Sequence, residues 1–348
     1  MRALASGLLP NPEIEAGTKR AREEGTGPTF GIKQELPING ALGLERQAAD
    51  FGYSASRADL QREIQIALGE ARTAYIEALS TRELKGIEEH GMQVASESLR
   101  LVSETLKAGL SSTLPYLLAQ TEYANAKKSR QIADSNHRVA RTRLARLLAM
   151  DESALPPLSG NLKETLVPPG SNLPIHSRPD LQASSLRVQS AQSSAASADR
   201  ERIPNPVLGF TREETDESAE NFFTIGLRVP LFNTGRPKVN QRLAEVQTAS
   251  AERNALANTV QAEQEQGEVR LTAAAAAVQV YESEILPSVQ RSLEAAGIAF
   301  QSGTTDLSLL LQTQSRLIEQ ERGYIRALED LRKAESEYLL AHGTPAKR

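Results

Sequence analysis

The sequence predicts a mainly α protein with a small β part, built from long helical hairpins in two internal copies. Three observations predict it. Alanine, leucine, glutamine, glutamate, arginine and serine dominate, and aromatic residues make up only 4% of the chain. That vocabulary suits long helices packed through small residues. Prolines are absent from Ile38 to Leu114. Short motifs also recur at a nearly constant offset.

The recurrence sets the order of elements. Leu9-Pro10-Asn11-Pro12 returns as Ile203-Pro204-Asn205-Pro206, and Leu36-Pro37-Ile38-Asn39 as Val229-Pro230-Leu231-Phe232-Asn233. Ser98-Leu99 returns as Ser292-Leu293, and Leu117-Leu118-Ala119-Gln120-Thr121 as Leu309-Leu310-Leu311-Gln312-Thr313. The offsets are 194, 193, 194 and 192 residues. Repeat 1 is placed at 1–150, an irregular linker at 151–178 with its proline pairs, repeat 2 at 179–342 and a tail at 343–348.

In repeat 2 a leading helix opens at Pro179, whose missing N–H costs nothing in a first turn, and runs to about Arg202. Only nine residues precede Pro10, so symmetry leaves repeat 1 with just the end of such a helix. Hairpins follow at about 13–38 and 207–231. Phe223, Ile225, Leu227 and Val229 alternate with Thr224, Gly226 and Arg228, and Phe30, Ile32, Gln34 and Leu36 alternate with Gly31, Lys33 and Glu35. That is the period of a strand with one apolar face. The joining loops, Glu23-Glu24-Gly25 and Glu213 to Glu217, are charged. An isolated hairpin is marginal in water, so other chains are expected to complete the strands.

Helical hairpins occupy 41–149 and 238–341. Ala41 to Lys107 carries apolar residues at three-and-four spacing and, unbroken, forms a rod of roughly 100 Å. Its counterpart meets Pro287 and is expected to kink there. The reversals fall at Gly109 and Gly303, at the ends farthest from the strands.

Several function classes are excluded or weakened. A net charge of −4 supplies no basic field for nucleic acid. Without cysteine there is no disulfide, thiolate metal site or thiol nucleophile. His90, His137, His176 and His342 make no pair at metal-ligand spacing, and the acidic loop from Glu213 lacks the pattern of a calcium loop. The arginines at 138, 141, 143 and 146 spread around their helix, which suits salt bridges rather than polyanion binding. No catalytic constellation or nucleotide motif is present, so the chain is not expected to be an enzyme or to hold a cofactor. No segment reaches the apolar length of a membrane-spanning helix, so membrane entry requires β-structure. A soluble coiled-coil adaptor or scaffold accounts for the helices but leaves the alternating strands without a purpose.

Leu8-Leu9-Pro10-Asn11-Pro12, Arg178-Pro179-Asp180-Leu181-Gln182-Ala183, Val229-Pro230-Leu231-Phe232, Ile285-Leu286-Pro287, and Gly303 followed by Leu309-Leu310-Leu311-Gln312 carry a resemblance. Together they resemble the TolC-like outer-membrane efflux proteins, and more narrowly the outer-membrane components of cobalt–zinc–cadmium type pumps. The resemblance implies a homotrimer in the outer membrane of a Gram-negative bacterium, with a periplasmic α-barrel and a 12-stranded β-barrel made of four strands per chain. It implies a duct for heavy-metal cations, or for drugs and small molecules, working with a periplasmic adaptor and a proton-driven inner-membrane pump.

On that reading Phe223, Ile225, Leu227 and Val229 face lipid. Gly109, Leu110, Ser111, Ser112, Gly303, Thr304 and Thr305 form the tips that meet the adaptor, and Asp306 is the candidate for an acidic ring at the channel mouth. A family member also carries a cleaved signal, often with a lipidated cysteine. The sequence has neither, and the functional protein is expected to begin upstream of Met1.

Overall fold

The computed structural model describes residues 7–21, 25–109, 112–165, 178–214, 219–230, 232 and 234–343. The first six residues and the tips of both charged strand loops lie outside them, as does much of the linker. The structure follows the expected order. Strands β1 (Glu13–Ala21) and β2 (Gly25–Glu35) precede helices α1 (Ala41–Lys107) and α2 (Thr113–Leu147). Helix α3 (Pro179–Arg200), strands β3 (Pro206–Glu214) and β4 (Ala219–Leu227), and helices α4 (Arg236–Val280), α5 (Leu286–Gln301) and α6 (Leu307–Ala341) follow.

α1 is unbroken over 67 residues. Its entry is fixed by Asn39, whose Oδ1 accepts the Ala41 N–H at 3.0 Å. The second copy differs at the expected kink. A single π-helical turn, Tyr281–Ile285, separates α4 from α5, and the Leu286 N–H donates back to the Tyr281 carbonyl. Pro287 has no N–H to offer, so the ladder ahead of it is short by one bond and slips by one residue. Gly323 accommodates the displaced turn, because a Cβ there would lie 2.4 Å from the Tyr281 hydroxyl oxygen.

The duplication is visible in backbone conformation. Left-handed residues end or begin the same elements in both copies: Gly40 and Gly235, Gly109 and Gly303, Ala149 and Gly343. Each pair keeps an offset of 194 or 195 residues.

Contacts divide the chain into two compact units, residues 1–62 with 178–259, and residues 63–177 with 260–348. In the first, α3 lies against the start of α1 through small residues. Ala55, Ala58 and Ala183 are buried together. Ser190 Oγ donates to the Ala48 carbonyl at 2.7 Å and Ser197 Oγ to the Ala41 carbonyl at 2.9 Å. A serine that spends its hydroxyl on a neighbouring backbone lets two helices approach closely at no desolvation cost.

In the second unit, Ile76, Leu79, Leu162, Val278, Tyr324, Leu328 and Leu331 form the core. The irregular segment after α2 is held by arginines from three helices. Arg82 donates to the carbonyls of Leu158 and Gly160, and Arg141 to that of Leu155. Arg332, buried beside Glu335, donates to the carbonyls of Leu162 and Lys163. These donors replace the ladder that a loop lacks.

The four strands form one antiparallel sheet in the order β1-β2-β3-β4. The two hairpins therefore join through β2 and β3, with Ile32 opposite Phe210. β1 and β4 are left as its outer edges.

Candidate membrane face and helical turns

Directly paired residues share a face of a sheet, so the register assigns every strand side chain. One row runs Ile14, Ile32, Phe210, Phe223. The next, toward the helices, contains Gln34, Leu208 and Ile225, and Leu227 follows opposite Pro206. On the other side of the first row lie Ala16, Phe30, Arg212 and Asn221. Apart from Gln34, and from Arg212 and Asn221 toward the loops, this face is apolar, and it is uncovered: Phe223 is 84% exposed, Ile225 82% and Ile14 79%. The rings of Phe210 and Phe223 lie 5.1 Å apart across the strands.

The opposite face carries Glu13, Lys33 and Thr224 in one row and Glu15, Thr211 and Phe222 in the next. Lys33 and Glu15 pair there at 2.6 Å. Gly209 lies beside Thr224, whose Oγ1 would be 2.3 Å from a Cβ at that position. Phe223, Ile225 and Leu227 thus lie together on the apolar face, apart from Thr224 and Gly226. Val229 needs a correction. The strand ends at Leu227, because the ladder to β3 stops at Pro206, which has no N–H to continue it. Val229 lies beyond the strand and is exposed.

The two reversals between long helices are built alike. Gly109 and Gly303 both have φ of +72°, and a Cβ at either would meet nothing within 4 Å. At the second turn the Thr304 N–H donates to Ala299 at 2.9 Å and the Gly303 N–H to Phe300 at 3.1 Å. This doubly bonded helix end requires a left-handed residue. The first turn repeats the bond from Gly109 to Leu106 at 3.0 Å. Leu110 and Ser111 lie outside the described residues, and Ser112 is the exposed N-cap of α2.

The hydroxyl of Thr304 turns back on its own helix end, donating to the Ala299 carbonyl at 3.0 Å. Thr305 is half-buried beside it. Asp306, also exposed, caps α6 by accepting the Leu309 N–H at 3.1 Å. Its sequence partner near Thr113 offers no carboxylate, so the two turns differ in charge.

Several other charged residues hold the helices together. Arg143 pairs with Glu77 at 2.7 Å and Lys85 with Asp134 at 2.6 Å. Burial, with the charges of Lys85 and Arg141, pushes His137 below its ordinary value beside Thr81. Burial alone would raise Asp180, but two hydrogen bonds from the buried Arg178, together with the charges of Arg178 and Arg62, hold it below the usual carboxylate range.

Two features were not foreseen. Glu88 is buried against Arg322, with Nη2 to Oε2 at 2.6 Å, whereas its neighbour Glu89 is half-buried. Tyr324 donates to Glu282 at the π turn at 2.6 Å, and burial and that carboxylate push the phenol up to about 12. Only the closeness of Glu282 to Pro287 could have hinted at the second. Nothing local marks the first.

The chain matches the family model described as outer membrane efflux protein over residues 3–150 and 172–343. It is 25% identical over 250 residues to the pyoverdine export outer membrane protein OpmQ of Pseudomonas putida, covering 68% of this chain and 53% of that protein. The chain therefore spans about half the length of that relative. It is 22% identical over 330 residues to the cobalt-zinc-cadmium resistance protein CzcC of Cupriavidus metallidurans, covering 92% of this chain and 78% of that one. Among solved structures, CusC, described as forming a transmembrane channel, superposes with a TM-score of 0.81 at 14% identity over 96% of this chain and 82% of its own.

Proposed function

From the premise that the chain belongs to the outer membrane efflux protein family and resides in the outer membrane, we propose that it is the outer-membrane duct of a tripartite pump exporting heavy-metal cations of the cobalt, zinc, cadmium or nickel type. Its fold is that of the TolC-like channels, with helical hairpins for an α-barrel and strands for a β-barrel. The observation that carries the reading is the sheet: four strands with one uncovered apolar face, one polar face and two unpaired edges.

In lipid an unpaired edge costs several kcal/mol for each unsatisfied group, so β4 must meet β1 of another copy. Three copies close a ring of twelve strands. The apolar face, with Phe223, Ile225 and Leu227, then turns to lipid, and Thr224, Lys33 and Glu15 line the lumen. The helices extend into the periplasm, where the turns at Gly109 and Gly303 meet an adaptor and Asp306 forms a ring at the mouth. An inner-membrane, proton-driven pump supplies the energy.

Metal cargo is supported by the similarity to CzcC along 92% of this chain. A second reading, export of a small organic molecule, is favoured by the similarity to OpmQ. Expression beside a cation-type pump and adaptor in a strain lacking its own duct separates them. Metal cargo predicts at least a fourfold rise in tolerance of cobalt, zinc or cadmium. A rise confined to organic toxicants moves the assignment to the second reading, and no change in either overturns the duct.

A further inference from the structure

The lipid-facing rows of the sheet are too short for a membrane. At about 3.3 Å per residue and a tilt near 40°, the apolar outward rows of β4, Phe223 to Leu227, rise about 10 Å. An outer-membrane barrel presents an apolar band roughly 25 Å tall. The next row toward the loops mixes Ala16 and Phe30 with Arg212 and Asn221, so the apolar band fades in that direction.

On the helical side the exposed apolar residues continue. Every described segment flanking the strands on that side carries one or more: Leu8 (65% exposed) and Leu9 before β1, Ile38 after β2, Ile203 before β3, and Val229 and Phe232 (100%) after β4. All belong to the same compact unit as the sheet. These connectors lie on the side of the sheet where the band falls short. Charged residues of both signs follow at once, with Asp199, Arg200 and Glu201 at the end of α3 and Arg236 and Lys238 at the start of α4, all exposed. An apolar belt bordered by charged residues fits acyl chains bordered by polar headgroups.

We infer that the strand-to-helix connectors, through Leu8, Leu9, Ile38, Ile203, Val229 and Phe232, are buried in the acyl chains of the inner leaflet and form the lower half of the membrane belt. The occupant is phospholipid, not a protein partner. Continuity with the apolar sheet face and the shortfall in strand length both point to it, and the inference rests on the orientation of that face given above. It makes the connectors part of the membrane anchor, so their apolar side chains contribute to insertion as well as to the turn.

The sequence contains no tryptophan, so a single substitution provides a clean probe. The full-length protein carrying Phe232→Trp, Leu9→Trp or Phe223→Trp is reconstituted in vesicles of phosphatidylglycerol and phosphatidylethanolamine, with and without brominated acyl chains. Phe232 and Leu9 are exposed and accommodate the larger ring. The inference predicts that bromolipid quenches both connector probes at least twofold, as it quenches Phe223→Trp, and that aqueous iodide does not. Connector probes quenched by iodide alone, with Phe223→Trp quenched by bromolipid, overturn the inference and leave the sheet's orientation intact. Connector probes shielded from both quenchers overturn it in favour of contact between copies. Failure of bromolipid to quench Phe223→Trp overturns the orientation and the inference together.

Discussion

Ala149 ends the second helix of the first copy in the left-handed conformation that Gly343 uses to end the second helix of the second copy, with φ of 52° and 67°. The bonds match. Ala149 donates to Arg146 at 3.1 Å and Gly343 to Leu340 at 3.2 Å. A Cβ in this region costs about 1 kcal/mol, which glycine avoids. Ala149→Gly should therefore raise stability by about 0.5–1 kcal/mol and Gly343→Ala lower it by a similar amount. Denaturant midpoints of the purified protein test this, and a lower midpoint for Ala149→Gly counts against it.

Ile225 and Thr224 are neighbours on opposite faces of β4. A lysine facing lipid near mid-membrane costs about 2–4 kcal/mol, whereas one facing a wet lumen costs little. Ile225→Lys should block insertion and Thr224→Lys be tolerated, as read by heat-resistant oligomers in membrane extracts. Equal assembly of the two would reverse or abolish the assignment of faces.

Much of this was legible because the signals are local and periodic. Alternation from Phe223 to Leu227 marks a strand whatever surrounds it, and a glycine between two helical runs marks a reversal. The duplication let each copy check the other. What escaped depends on residues far apart in sequence. The pairing of β2 with β3 joins Ile32 to Phe210, and no hairpin signal spans that distance. Val229 continued the alternation but not the ladder, which Pro206 on the partner strand ends. Pro287 announced an irregularity, yet its form, a one-residue slip before the proline, depends on Tyr281 finding room over Gly323.

Arg332 ties the irregular segment to α6 and shares a buried site with Glu335, the pair lying 2.5 Å apart. Removing one partner of a buried pair strands the other charge, at about 3–5 kcal/mol. Arg332→Met should destabilise the protein on that scale and open residues 155–165 to protease. Adding Glu335→Leu should recover part of the loss. A double variant as unstable as the single one would show that the bonds to Leu162 and Lys163 matter more than the ion pair.

Asp180 has a folded-state pKa below its unfolded value, so its contribution to stability is complete above the unfolded pKa, near 4, and is lost as pH falls through the folded one. Asp180→Asn should lower the melting temperature at pH 7 and have a smaller effect near pH 3. The same loss at both values would attribute it to packing rather than charge.

Gly109 and Gly303 have open space where a side chain would go, so their turns can be altered without disturbing the cores. Gly109→Trp and Gly303→Trp should leave oligomers intact yet abolish resistance and adaptor cross-linking, whereas Gly109→Asn, which tolerates a left-handed backbone, should retain both. Normal resistance in both tryptophan variants would reduce the turns to helix caps.

The central claim is that β4 of one copy pairs with β1 of the next to close a barrel. The chain has no cysteine, so disulfides can be placed at will. Glu15→Cys is combined in turn with Phe222→Cys, Thr224→Cys and Gly226→Cys, all on the polar face, and the protein is oxidised in isolated outer membranes. Closure predicts that at least one combination yields a covalent species of three chains, absent from every single variant. Monomers alone in all three combinations, with the protein inserted, would contradict the barrel.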